Sequence, residues 1–89
     1  MRAPMIAGRP RVGGTLTGDR GRWSGTELTF SYLWLRCRTD ACWSGKPVSR
    51  TLRYRVRRAD RAWRLKLVVT AVNDLAEETA RSKLTARVP

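Results

Sequence analysis

The chain has 89 residues, with 19 Lys or Arg against seven Asp or Glu, a formal net charge of +12 and no His. A single domain of this size buries only about 60–65 % of the surface its unfolded chain exposes, so a large core is excluded. An apolar share of 42 % that includes four Trp excludes a disordered polyelectrolyte, and no apolar run approaches the ~18 residues of a membrane helix.

Pro4, Gly8, Pro10, Gly13 and Gly14 punctuate the first stretch, and Met1 to Pro10 carries no apolar run of signal-peptide type. The expectation is that any secretion signal lies outside this segment. The first short period-two run is Thr15-Leu16-Thr17. The second is clearer: Leu28, Phe30, Tyr32 and Trp34 alternate with Thr29, Ser31 and Leu33, which predicts a strand with a large apolar face on the core. The third sets Leu52, Tyr54 and Val56 against Arg53, Arg55 and Arg57, apolar in and basic out. In the fourth, Leu65, Leu67, Val69 and Ala71 alternate with Arg64, Lys66, Val68, Thr70 and Val72. Its second half is apolar on both sides, as a central strand would be.

Between this run and the last lies Asp74 to Lys83, rich in helix formers but without an apolar stripe, so a hairpin turn at Asn73-Asp74 is the preferred reading over a helix. The last run sets Leu84, Ala86 and Val88 against Lys83, Thr85 and Arg87. Short strands at turn-marked spacing predict an all-β sandwich or barrel, one domain over residues 1–89 with a core from about Pro4 to Val88. The candidate core residues are Trp23, Trp34, Tyr54, Leu65, Leu67 and Val69.

Several segments in this order carry a resemblance: Val12-Gly13-Gly14-Thr15-Leu16-Thr17, Gly21-Arg22-Trp23-Ser24-Gly25, Tyr32-Leu33-Trp34-Leu35-Arg36-Cys37, and Val68-Val69-Thr70-Ala71-Val72-Asn73. With Cys42, Tyr54 and Asp60 between them, they resemble the immunoglobulin-like repeat of large secreted and surface proteins of actinobacteria and their relatives. The Val-Thr-Ala-Val-Asn stretch is also similar to the fibronectin type III pattern. The resemblance implies an antiparallel immunoglobulin-like β-sandwich of about seven short strands, with Trp34 packed between the sheets and Trp23 and Tyr54 at core or rim positions. It implies a local disulfide between Cys37 and Cys42, hence an oxidising, extracellular or cell-surface location; two free thiols are the alternative. Where the family has an Asp-x-Gly turn this chain has Asp60-Arg61-Ala62, and the turn must do without a glycine.

Nothing in the chain assembles catalytic or cofactor chemistry. Two Cys and no His fall short of a zinc site, no Ser or Cys has a His partner, and Glu77 and Glu78 on a strand point to opposite faces. The expectation is a non-enzyme without cofactor or metal, with Asp60 capping its turn by hydrogen bonding.

The basic residues suggest partners instead. Arg53, Arg55 and Arg57 would share a strand face at about 6.6–7 Å spacing, Arg58 adjoins them, and Arg61, Arg64 and Lys66 follow. Arginine's planar fork suits phosphate, sulfate or carboxylate, and a solvated Arg-rich face is the plainer alternative. Trp43, beside Cys42, either anchors a partner or sugar ring or covers the core edge. These features predict an interaction or structural module of a surface, secreted or virion assembly. Its partner would be a protein, an acidic glycan or other polyanion, or neighbouring domains or subunits. Nucleic-acid binding through the same basic face is the alternative.

Overall fold

The computed structural model describes residues 2–25, 27–38, 41–42 and 49–89. The chain is all-β, with two antiparallel sheets facing each other. Strands β1 (Met5–Ala7), β2 (Thr15–Asp19) and β5 (Arg53–Arg55) form one sheet in the order β1-β2-β5. Strands β3 (Thr29–Arg38), β4 (Ala41–Cys42), β6 (Arg64–Val72) and β7 (Glu77–Arg81) form the other in the order β4-β3-β6-β7. The chain changes sheet after β2, after β4 and after β5.

The period-two runs dictate this arrangement. On β6, Leu65, Leu67 and Val69 are fully buried, and in register they meet Arg36, Trp34 and Tyr32 of β3. The apolar second half of β6 lies between β3 and β7, as a central strand must. Across the sandwich, Trp34 stacks on Tyr54 of β5 with ring centroids 5.8 Å apart and 26° between planes, and Leu16 of β2 completes the same cluster. The Trp34 indole N–H donates to the Thr51 carbonyl at 2.5 Å, which gives a buried polar atom its partner. Trp23 is half-buried, edge-on to Phe30 at 5.9 Å, and packs against the core. Gly18 marks where the sheets come closest: a Cβ there would lie 2.6 Å from Leu67 Cδ2.

Cys37 and Cys42 stand directly opposite each other on β3 and β4 and form a disulfide. Asn73 makes the expected turn, its Oδ1 accepting from the backbone N–H groups of Leu75 and Ala76 at 2.9 Å. The turn leads directly into strand β7, which rules out the helical alternative for Asp74 to Lys83. Ala62 itself takes the left-handed conformation, φ 71°, that a glycine would have relieved. It is held there by its N–H bonding to Val88 O at 2.8 Å and by Trp63 N–H bonding to Asp60 O at 2.9 Å.

Three elements differ from the sequence reading, the two-residue β4 among them, which no alternation marks. β1 forms between Pro4 and Gly8, where no alternation marks it. The final run over residues 83–88 is extended but is not a regular strand. Past Arg81, the backbone N–H groups of Ser82 and Thr85 still donate to Leu67 O and Leu65 O of β6. The return bonds, from Leu67 N–H and Leu65 N–H, go to the hydroxyls of Ser82 and Thr85 at 2.9 Å instead of to carbonyls. Side-chain hydroxyls thus take the place of one side of the ladder, and the regular pairing stops.

Candidate polyanion interface

The site is built around a buried carboxylate. The segment between β5 and β6 turns through a short 3-10 helix, Arg58–Asp60, whose last residue is fully buried. A buried carboxylate is tolerable only when it is paired and hydrogen-bonded. Asp60 Oδ1 accepts from Arg36 Nε at 2.5 Å, and Oδ2 accepts from the Tyr54 hydroxyl at 2.5 Å and from Arg57 N–H at 2.8 Å. Asp60 therefore does more than cap its own turn: it ties β3, β5 and the β5–β6 segment together. Burial works against the Arg36 charge, but the hydrogen bond and charge of Asp60 hold its pKa above the ordinary arginine value. Burial, and then the bond to Asp60, push the Tyr54 hydroxyl up from 10.0 to about 12.

That shift has a pH signature. The folded protein holds the Tyr54 proton more tightly than the unfolded chain. The resulting stability is complete below pH 10 and lost as pH rises through about 12. Denaturant melts between about pH 9 and 12 are expected to show a loss of roughly 2 kcal/mol that is missing from Tyr54→Phe. An equal loss in both proteins would assign it to another group.

The Asp60 anchor presents arginines. The strand directions place the β1–β2 loop, the end of β3, the β5–β6 segment and the start of β6 at one end of the sandwich. Arg9, Arg11, Arg38, Arg57, Arg58 and Arg61 are exposed there. Among the described residues Asp60 is the one acid at this end, and it is consumed by Arg36. The opposite end, formed by the β2–β3 and β6–β7 loops, holds Asp19, Glu27, Asp74, Glu77 and Glu78, all exposed. Asp19 is engaged locally: Gly21 N–H above all, with Arg2 at 2.8 Å, keeps its carboxyl below the ordinary value. Among the described residues the exposed acids are therefore gathered at one end of the molecule, not spread over it.

The basic residues singled out from the sequence do not form one flat face. Arg53 and Arg55 are exposed on the outer side of the β1-β2-β5 sheet, each opposite a threonine, Thr17 and Thr15. Arg57, Arg58 and Arg61 lie at the arginine-rich end. Arg64 and Lys66 alternate with Leu65 and Leu67, so they lie on the outer side of the other sheet, half-buried. The set wraps one end instead of lining one strand. Arg9, Arg11 and Arg38 join it although sequence spacing gave no sign of them, because only the strand pairing brings their loops together. Arg36 did carry a signal: it falls in phase with Trp34 on the inner side of β3, where a cation requires a buried acid.

Trp63 is half-buried under the Arg38 guanidinium, 4.4 Å from its ring centroid. Trp43 lies outside the described residues. Among the described residues no group of three His, Cys, Asp or Glu side chains is placed to hold a metal ion, and no helix is long and apolar enough to cross a membrane. The chain matches no family model, no curated protein and no solved structure.

Proposed function

We propose that this protein is a non-catalytic, immunoglobulin-like interaction module of a surface, secreted or virion assembly, which holds an acidic partner against its arginine-rich end. The observation that carries the reading is the exposed arginine cluster around the Asp60 anchor, with no exposed acid among the described residues there. The buried ion pair fixes the backbone that carries these arginines, so binding has to order their side chains and not the chain beneath them, and their forks take carboxylate or sulfate in two-point contacts. The Cys37–Cys42 disulfide supports an oxidising compartment, and the two-sheet strand order supports the immunoglobulin-like assignment.

The test is retention on a sulfated polysaccharide under a salt gradient. Replacing Arg57, Arg58 and Arg61 together by Glu is expected to abolish retention at about 0.15 M salt, where contact charges still act. The same reversal of Arg20 and Arg22, at the acid-bearing end, is expected to change little. Equal losses from both sets would reduce the effect to net charge and sink the reading. Nucleic acid is the second candidate, favoured by the ladder of Arg53 and Arg55 on β5. Against it, single-strand binders stack bases on exposed aromatics, whereas Tyr54 is buried and Trp63 is covered by Arg38. Retardation of a single-stranded oligonucleotide at about 50 mM salt, lost on Arg53→Glu with Arg55→Glu, would move the partner to nucleic acid.

A further inference from the structure

One side of the sandwich is open. Between β1 and the extended segment after β7 runs a groove of about 470 Å³. Its apolar lining includes Pro4, Met5, Ile6, Pro10, Leu84 and Ala86, and Arg2, Arg81 and Lys83 also border it. Arg81 and Lys83 are exposed, while Arg2 is shared with Asp19. The groove is thus an apolar slot rimmed by cations, and it fits an apolar side chain carried among acids.

A strand is a poor occupant of this slot. Its C-terminal wall is not a regular strand, and the Ser82 and Thr85 hydroxyls already occupy one lone pair each of the Lys83 and Ala86 carbonyls, at 2.9 and 2.8 Å. An added strand needs a regular row of backbone donors and acceptors. A protruding side chain needs none of them.

The protein carries a side chain of that kind. Leu75, at the tip of the β6–β7 turn, is 92 % exposed, the most exposed large apolar residue among those described. The turn is not slack: Asn73 Oδ1 binds the N–H groups of Leu75 and Ala76, and Asn73 N–H donates to Ala76 O at 3.0 Å. Asp74 adjoins the leucine in the turn, and Glu77 and Glu78 open β7 just after it on opposite faces of the strand, all three exposed. On a chain of net charge +12, this acid-rimmed apolar knob is complementary to its own cation-rimmed groove.

We propose that the groove between β1 and residues 81–86 receives the β6–β7 turn of a second copy of this chain. Leu75 enters the apolar slot, and the acids that flank it, Asp74 in the turn with Glu77 and Glu78 on the two faces of β7, bring negative charge up to Arg81 and Lys83. Knob and groove occupy different surfaces, so a contact made once is head-to-tail and leaves one free knob and one free groove, whereas a reciprocal two-fold contact leaves none. The whole-body repulsion of two strongly cationic copies opposes it at low ionic strength. At about 0.15 M salt the screening length is about 8 Å, so that repulsion fades while contact pairs persist. Association is therefore expected to be strongest at intermediate salt.

Sedimentation velocity on the full chain up to about 1 mM tests this, at roughly 0.01, 0.15 and 1 M salt. The expected result is concentration-dependent association at 0.15 M, weaker by about tenfold at either extreme. Leu75→Ser should abolish it, and so should Arg81→Glu with Lys83→Glu. Glu77→Lys with Glu78→Lys should also remain monomeric. Mixing the two charge-reversed proteins should restore a complex, because the groove-reversed protein keeps its acidic knob and the knob-reversed protein keeps its cationic groove, and a general loss of folding cannot produce that rescue. A chain that stays monomeric at all three salts, association that survives Leu75→Ser, or a mixture that stays apart each overturns the proposal.

Discussion

Replacing Asp60 by alanine is expected to destabilise the fold by about 3–5 kcal/mol, the cost of stranding one partner of a buried ion pair. A domain of this size has only about 5–13 kcal/mol in total, so the variant should lie near its unfolding threshold at 37 °C. The loss is large because one residue serves three elements. Without it, Arg36 keeps a charge on the core side of β3, Tyr54 keeps a buried hydroxyl, and Arg57 N–H keeps no acceptor. At about 4–8 °C per kcal/mol for a domain of this size, the thermal midpoint should fall by at least about 12 °C. Arg36→Met with Asp60→Leu should recover part of the loss, since that pair leaves no buried charge uncompensated. A fall of only a few degrees in Asp60→Ala would mean that Arg36 swings out to water and that the network is dispensable. Should the alanine variant prove too unstable to melt, Asp60→Asn keeps the shape and still removes the charge, and its midpoint settles the same question.

Trp34→Ala is expected to cost a similar amount, about 3–5 kcal/mol, through a different mechanism. Trp34 is fully buried, stacks on Tyr54 and stands opposite Leu67. Its removal leaves a void where the two sheets meet, which β2 and β6 cannot collapse to fill, because their backbones are fixed by pairing on both sides. Trp34→Phe separates packing from hydrogen bonding. It keeps an aromatic surface but leaves Thr51 O without its indole donor, and it should cost about 1–3 kcal/mol. Urea unfolding with an unchanged slope would attribute both effects to native-state stability. A cost below about 1 kcal/mol for Trp34→Ala would place the energetic centre of the sandwich elsewhere.

Much of the fold was legible in the sequence because burial on one face writes a period of two into the chain. The runs around Trp34, Tyr54 and Leu67 are of this kind, and so was the central position of β6, whose outer residues Val68 and Val72 are apolar as well. β1 was not legible: three residues between a proline and a glycine hold too little alternation to register. The run Leu84, Ala86 and Val88 misled for the opposite reason. It has the alternation of a strand, but Ser82 and Thr85 offer hydroxyls where a strand offers carbonyls, and local hydrogen bonding overrides periodicity. Asp60 was legible as a turn acid and not as a buried hub, because its partners lie 24 and 6 residues away. The candidate interface was half visible. Arg53, Arg55, Arg57, Arg58 and Arg61 cluster in sequence, whereas Arg9, Arg11 and Arg38 reach the same end only through strand pairing.

The gathering of the described acids at one end would also govern how the molecule arrives at the anionic partner proposed for it. A body charged evenly would be drawn toward an anionic surface in any attitude, and most collisions would be wasted. This one would be turned by the field of such a partner before contact, with the arginine-rich end leading. Orientation of that kind raises the frequency of productive collisions more than the lifetime of the complex that results. Ionic strength should then act mainly on how fast partners meet, and only weakly on how long they stay together.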